Sequence, residues 1–274
     1  MEQAYFAQFT DIHIGGPKLA GRDNPILERM KLGEALAGIP RHRMAEQHLI
    51  AAIEEVGNLS PRPAFVMVTG DIVSLGSEGE LRRYKEIAQS SKVPLLATPS
   101  NHDLWGDCGR GWDEVMGPRR HRFDHAGVKF FLMDEYEPLE GLRWRARIRP
   151  ELSDWLREGL RSWPPSSSIV LAFHAPILPL GKGRYADVWD ESAGEFLEVL
   201  SKRKVLALIT GHCHRNLEWT LGGVRLISTG SLMGQQWTGI PPHYGSPPGL
   251  DTGCSASEEG GFILSGVSFG QGSR

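Results

Sequence analysis

Short apolar segments that each end in polar residues constrain the fold of this chain more than any other feature of the sequence. Each has the length of a buried strand, and most are followed by a segment whose apolar residues recur at helical spacing. Strands that alternate with helices indicate an α/β protein whose sheets are covered by helices. In chain order, the polar endings are "FTDIH", "VTGD", "PSNHD", "LAFH" and "ITGHCH".

Hairpin patterns also occur, with turns at Ala126-Gly127 and at Gly222-Gly223. Because a hairpin pairs its two strands antiparallel, we predict mixed sheets and not a purely parallel doubly wound sheet. A helix is expected from about residue 42 to residue 56. A second helix should begin at Ser77, a good N-cap that is followed three residues later by Glu80.

The 274 residues are interpreted as one domain over 1–274. Residues 16–40 are punctuated by glycine and proline and are predicted to form an inserted lid. The segment from about residue 239 is rich in proline, glycine and serine, and we expect it to be an irregular tail.

The charge balance narrows the classes of partner. Net charge is −3 and the sequence pI is about 6.4, which argues against binding to nucleic acid or to an anionic membrane. No apolar run approaches the roughly 18 residues that a membrane span needs. Three cysteines without regular spacing and an N-terminus without the pattern of a signal peptide predict a cytoplasmic protein.

The strand endings carry carboxylates, one amide and five imidazoles, which converge if the strands end at one common edge. Imidazole together with carboxylate suits Mn, Fe or Zn better than Ca or Mg. There are more of these groups than one ion can use, and two cations that share a carboxylate are an arrangement used for phosphoryl transfer. The candidate residues are Asp11, His13, Asp71, Asn101, His102, Asp103, His174, His212 and His214.

In this order, the blocks D-I-H, G-D, N-H-D, H and G-H-C-H resemble those of the calcineurin-like metallophosphoesterases. They span Asp11 to His214, which is most of the chain. Within the family, the sequence is most similar to the bacterial cyclic nucleotide and glycerophosphodiester phosphodiesterases. The resemblance implies a four-layer α/β/β/α sandwich of two mixed sheets.

The resemblance also implies two divalent transition metal ions, Mn or Fe first and Zn as a further candidate. The first would be held by Asp11, His13, Asp71 and His214, and the second by Asp71, Asn101, His174 and His212. A hydroxide between the metals would attack phosphorus. His102 would protonate the leaving group from outside the metal shells, and Asp103 would orient His102 and raise its pKa.

The implied function is hydrolysis of a small-molecule phosphodiester, such as a cyclic nucleotide or a glycerophosphodiester. A phosphomonoesterase, a phosphoprotein phosphatase, a nuclease and a non-catalytic binding scaffold are the alternatives. The acidic net charge weighs against the nuclease, and the complete set of ligands weighs against the scaffold. The sequence leaves the oligomeric state open.

Four details lie outside these blocks or depart from them. The family usually has glycine, which permits a tight turn, before the Asn-His pair, whereas this chain has Ser100. Cys213 alternates with two histidines and is predicted to be a packed thiol. Asp134 and Glu135 are expected to cap a loop or to form a solvated pair, and the arginine-rich segment 143–149 is expected to be a solvated loop.

Overall fold

The structure is a computed structural model that describes residues 5–15, 41–105, 109–139, 143–177, 192–214, 216–221 and 223–232. The predicted lid at 16–40 and the predicted tail from about residue 239 lie outside the described residues. No helix within these ranges is long and apolar enough to cross a membrane.

The helices and strands follow one another in the alternating order that the sequence predicts. They are β1 (Ala7–Phe9), α1 (Arg41–Asn58), β2 (Val66–Thr69), α2 (Glu78–Ala88), β3 (Leu95–Thr98), α3 (Asn101–Leu104), α4 (Arg110–Val115), β4 (His121–His125), β5 (Val128–Leu132), β6 (Tyr136–Leu139), β7 (Arg143–Ala146), α5 (Pro150–Arg161), β8 (Ser168–Ala172), α6 (Ser192–Ser201), β9 (Lys204–Thr210), β10 (Leu217–Leu221) and β11 (Val224–Ser228).

Two main sheets form the centre of the molecule. Strands β1, β2 and β3 make a sheet in that order with both pairs parallel. The other sheet has the order β10-β11-β9-β8-β5-β4, in which three pairs are parallel and the two terminal pairs are antiparallel hairpins. Both predicted hairpins are therefore confirmed, and the larger sheet is mixed as expected.

Three apolar clusters show how these layers stack. One lies between the three-stranded sheet and helices α1, α2 and α4, and one lies between the six-stranded sheet and helices α5 and α6. The third contains side chains of both sheets and fills the space between them. Strand β8 shows the alternation directly, since Ile169 and Leu171 face the helices while Val170 and Ala172 face the other sheet. The predicted four-layer α/β/β/α sandwich is confirmed.

A buried polar contact ties the two sheets together beside the strand ends. The amide of Gln8 in β1 donates to Thr69 Oγ1 at 2.8 Å and to the Thr210 carbonyl at 2.9 Å. The Thr229 hydroxyl donates to the other end of the same amide. Because Gln8 is buried, these bonds satisfy its polar atoms and fix the position of β1 against β9.

The helix predictions are also borne out where the structure describes them. Helix α1 covers the predicted span of residues 42–56, and α2 begins with a reciprocal capping box between Ser77 and Glu80. The predicted solvated loop at 143–149 is wrong, because Arg143–Ala146 pair antiparallel with Tyr136–Leu139. Arg145 makes an ion pair with Glu137 on the partner strand at 2.6 Å, which offsets the charge of this strand.

Candidate metal centre

The carboxyl ends of five strands meet at one edge of the sandwich and carry the predicted residues. Asp11 and His13 follow β1, Asp71 follows β2, and Asn101 begins the short helix after β3. The six-stranded sheet supplies the other three, which are His174 after β8 and His212 and His214 after β9. The candidate centre therefore lies between the two sheets, where loops from both approach each other.

Tight backbone turns hold most of these side chains in place. Six non-glycine residues in the described part of the chain have a positive φ. One of them, Ala126, is in a hairpin turn. A positive φ costs an L-residue about 1–2 kcal/mol, and such strain concentrates at functional sites. The other five all belong to the predicted metal ligands: Asp11, His13, Asp71, His212 and His214.

The first group consists of Asp11, His13, Asp71 and His214, whose ligand atoms all lie within 4.8 Å of one another. His214 Nε2 is 2.9 Å from Asp11 Oδ1 and 3.2 Å from His13 Nε2. The second oxygen of Asp11 accepts hydrogen bonds from the Thr10 hydroxyl and from the His212 amide. Asp11 is thus oriented with one oxygen toward the imidazoles.

The second group consists of Asp71, His174 and His212. His174 Nε2 is 3.3 Å from Asp71 Oδ2 and 3.2 Å from His212 Nδ1. His174 Nδ1 lies 2.7 Å from the Thr69 carbonyl, which only accepts, so Nδ1 carries the proton and Nε2 faces the group. An N–H bound to a carbonyl is the usual arrangement behind a metal-ligating histidine. Asp71 is common to both groups.

The two carboxylates at the centre are ionised. Burial raises the pKa of Asp11, but His214 and His174 outweigh it and hold the pKa of this carboxyl below its ordinary value. Burial likewise raises the pKa of Asp71, and His174 and His102 again outweigh it. Two negative charges are therefore enclosed by imidazoles at the edge of the sandwich.

The imidazoles differ in their protonation. Burial lowers the pKa of His13 and of His212 to about 3, so both rings are neutral and keep a lone pair. Burial also lowers the pKa of His174, but Asp71 and Asp11 outweigh this and raise it to about 10. A cation that binds to His174 must displace its proton, as metal binding to histidine commonly does.

These residues fit divalent cations by their chemistry. Neutral imidazoles and ionised carboxylates are the donors that transition metals prefer. Asn101 adds an amide oxygen, Oδ1, that is buried and has no hydrogen-bond partner among the described residues, which is costly unless something binds it. The paired nitrogens, 3.2 Å apart in each group, have roughly the spacing of two ligands held about 2.1 Å from one shared cation.

His102 lies beside the groups and is more exposed than His13 and His174. Its side chain is 23% exposed, against 8% for His13 and 0% for His174. Nε2 points to Asp71 Oδ2 at 3.9 Å, and the ring packs on Trp105 with centroids 3.9 Å apart. The imidazole is thus held at the rim of the centre with one nitrogen facing inward.

The structure corrects the prediction that Asp103 orients His102. The Asp103 carboxylate accepts hydrogen bonds from the Val73 and Ser100 amides at 3.0 and 2.9 Å. His102 Nδ1 is instead 2.8 Å from the Ser74 carbonyl, which fixes the ring. Consecutive side chains on a helical turn point in different directions, so adjacency in sequence did not produce contact.

Sequence reasoning missed the role of Glu135. This residue is fully buried, and its Oε1 accepts from the amides of His174 and Ala175 at 2.9 and 2.6 Å. Part of the prediction holds, since Glu135 caps the loop after β8, but neither Glu135 nor Asp134 is solvated. Asp134 is buried in ion pairs with Arg120 and Arg149, each at 3.0 Å.

Replacing Glu135 by glutamine should change how stability depends on pH. Burial raises the pKa of Glu135 to about 7, so folding favours the protonated acid. The stabilisation that the protonated Glu135 side chain gives the folded state is fully present below the unfolded-state pKa of about 4.5. It is lost as the pH rises through the folded-state pKa of about 7. In metal-free protein, we expect Glu135→Gln to gain stability relative to wild type between pH 5 and pH 8, by about 1.4 kcal/mol per pKa unit of the shift.

Urea unfolding at both pH values measures this difference. Glu114→Gln is the matched control because Glu114 is exposed, and it should show no pH-dependent difference from wild type. If the free energy of unfolding of Glu135→Gln differs from that of wild type by the same amount at pH 5 and at pH 8, the prediction is contradicted.

Gly70 precedes Asp71 and brings the end of β2 close to Ser100 and to the candidate ligand His174. Its φ is +78°, and an added Cβ would lie 2.6 Å from Ser100 Cβ and 2.8 Å from His174 Nδ1. We expect Gly70→Ala to lower the free energy of unfolding by about 2–5 kcal/mol, from the left-handed backbone and from overpacking together. Gly117→Ala is the control, because its φ of +88° is similar and no atom lies within 4 Å of the added Cβ. Equal losses in both variants would show that the close approach at Gly70 has no cost.

Cys213 lies between two of the ligand candidates. It is fully buried, as the prediction of a packed cysteine requires.

Known proteins resemble this chain in sequence and in fold. The sequence model of the family described as calcineurin-like phosphoesterase matches residues 4–216. A probable cyclic nucleotide phosphodiesterase of Synechococcus is 28% identical over 58% of this chain and 61% of its own length. A probable glycerophosphodiester phosphodiesterase of Arcobacter nitrofigilis is 26% identical over 61% of this chain and 62% of its own.

This chain therefore matches less than two thirds of the length of either relative. Among solved structures, a dimetal phosphatase from Danio rerio superposes with a TM-score of 0.58 at 14% identity, covering 88% of this chain and 90% of the other. That likeness concerns the fold alone. With the family match covering most of the sequence, from residue 4 to residue 216, the chain belongs to the calcineurin-like phosphoesterases.

Proposed function

We propose that this protein is a dinuclear metal-dependent phosphoesterase that hydrolyses small phosphodiesters. The observation that carries the proposal is the pair of Asp/His groups that share Asp71, with a partly exposed histidine at their rim. The names of the two curated relatives, both phosphodiesterases, support diesters as the substrate class.

The residues divide between two cations as follows. Asp11, His13, Asp71 and His214 would hold one, and Asp71, Asn101, His174 and His212 would hold the other. Two bound divalent cations, with Mn or Fe as the first candidates and Zn as a further one, supply Lewis-acid activation of the ester and of the attacking water.

The chain's own part in the reaction falls to His102. With Nδ1–H bound to the Ser74 carbonyl, the protonated ring presents Nε2–H toward the centre. That proton can pass to the leaving oxygen as the P–O bond breaks. The Ser74 contact and the packing on Trp105 keep the ring in this orientation without a change of rotamer.

Hydrolysis of two aryl phosphates tests the proposal. The metal-free protein is reconstituted separately with Mn, Fe, Zn, Co and Ni, and turnover of bis(4-nitrophenyl) phosphate is compared with that of 4-nitrophenyl phosphate. We expect metal-dependent turnover with higher kcat/KM for the diester. No turnover with any of the five metals, in folded protein that binds them, would overturn the assignment as an enzyme. Preference for the monoester would favour a phosphomonoesterase.

A further inference from the structure

Ser100 is a buried residue whose hydroxyl has no part in the function proposed so far. It lies between β3 and α3, is fully buried, and has extended backbone angles of −137° and −164°. Any residue can adopt this conformation. The loop therefore does not require the glycine that usually stands at this place in the family. A side chain can be present here without backbone strain.

The hydroxyl of Ser100 makes its two shortest hydrogen bonds with Asp71. Its oxygen accepts the Asp71 backbone N–H at 2.6 Å, and its hydrogen is donated to Asp71 Oδ1. A hydroxyl has only one hydrogen to give, and the other carboxylate within reach, Asp103 Oδ2, is farther away at 3.2 Å. Asp71 Oδ1 also accepts from the His102 amide at 3.3 Å.

The second oxygen of Asp71, Oδ2, faces the imidazoles of both groups. Oδ2 lies 3.3 Å from His174 Nε2, in one group, and 3.6 Å from His13 Nε2, in the other. With Oδ1 occupied on the side of β3, rotation of the carboxylate would break the Ser100 bond. Oδ2 is thus the atom of Asp71 that faces both groups.

We propose that Ser100 is a positioning residue for Asp71, whose hydroxyl holds one carboxylate oxygen so that the other can be shared by two cations. The inference rests on the proposed function in so far as both groups bind metal. Since Asp71 belongs to both groups, loss of the hydroxyl should weaken both cations together. Outer-shell partners of metal ligands typically contribute about 10–100-fold to affinity.

Titration with Mn²⁺ tests this directly. The full-length, metal-free chain is titrated, and unbound Mn²⁺ is counted by its electron paramagnetic resonance signal. We expect Ser100→Ala and Ser100→Gly to weaken both Mn²⁺ sites by about 10–100-fold, and to do so alike, because both lack the hydroxyl. Ser192→Ala is the matched control, since the Ser192 hydroxyl also binds a backbone amide, that of Ile148 at 2.9 Å. It should bind Mn²⁺ as wild type does.

Circular dichroism and urea unfolding verify that each variant is folded, and the glycine variant carries the residue usual in the family. Wild-type affinity at both sites in Ser100→Ala overturns the proposal, and so does a loss confined to one site. A loss in Ser100→Gly without one in Ser100→Ala also overturns it, because backbone freedom would then be the cause.

Turnover is measured separately from binding. Wild-type protein that binds two Mn²⁺ ions but hydrolyses no ester contradicts the proposed function, while the same isotherms still decide the role of Ser100. Wild-type protein that binds no divalent cation overturns both.

Discussion

An Asp71→Asn variant is expected to lose both metal ions, and with them phosphoesterase activity, while it keeps its fold. Asp71 is the one residue common to the two candidate groups, and its Oδ2 is within 3.6 Å of a histidine nitrogen in each. Asparagine keeps the shape of the side chain and can still accept the Ser100 hydrogen bond, but it removes the negative charge. The loss of metal affinity should exceed the roughly 10–100-fold loss that is typical when a residue behind a metal ligand is replaced.

Metal content after desalting, measured by mass spectrometry, gives the result independently of activity. Asn101→Ala provides the comparison, because Asn101 is proposed to serve only the second cation. We expect about two metals per chain in wild type, one in Asn101→Ala and none in Asp71→Asn. Two metals retained in Asp71→Asn would exclude a shared carboxylate.

The strand endings explain why so much of this molecule could be predicted from its sequence. Strand β8 is apolar from Ile169 to Ala172 because one of its faces meets the other sheet and the opposite face meets helices α5 and α6. Such a strand offers no alternation of polar residues, so the sudden change at His174 stands out. The same contrast marks Asp71 after β2 and His212 after β9. Parallel pairing then brings these ends to one edge, which is how the sequence predicts the cluster.

Contacts that depend on the direction of a side chain could not be predicted in this way. Asp103 is adjacent to His102 in the sequence, yet the turn of α3 directs it back to the Ser100 and Val73 amides. The strand β7 was not expected because its arginines suggest a solvated loop. In the structure, Arg145 lies opposite Glu137 on the paired strand and makes an ion pair with it. In both cases the contact partner is determined by the three-dimensional structure, and no local sequence pattern indicates it.

His102→Ala is expected to keep both metals and to lose most of the activity. His102 contacts the rim of the centre through Nε2, 3.9 Å from Asp71 Oδ2, and is not a member of either candidate group. Removal of a general acid typically costs about 10²–10⁴-fold in rate. Metal content and the urea unfolding midpoint should stay near wild type. His125→Ala is the control, since His125 lies in β4, outside both groups.

The factor by which kcat falls in His102→Ala should depend on the leaving group of the substrate. This dependence distinguishes proton donation by His102 from a structural role. A 4-nitrophenolate leaves readily without a proton, whereas the alkoxide of a glycerophosphodiester needs one as the P–O bond breaks. If His102 donates that proton, kcat should fall much further for the glycerophosphodiester than for bis(4-nitrophenyl) phosphate. If the ring only supports the site, both substrates should lose the same factor. Equal losses, or a loss of metal in His102→Ala, would therefore remove His102 as the acid and leave the ligand groups as the only assigned part of the mechanism.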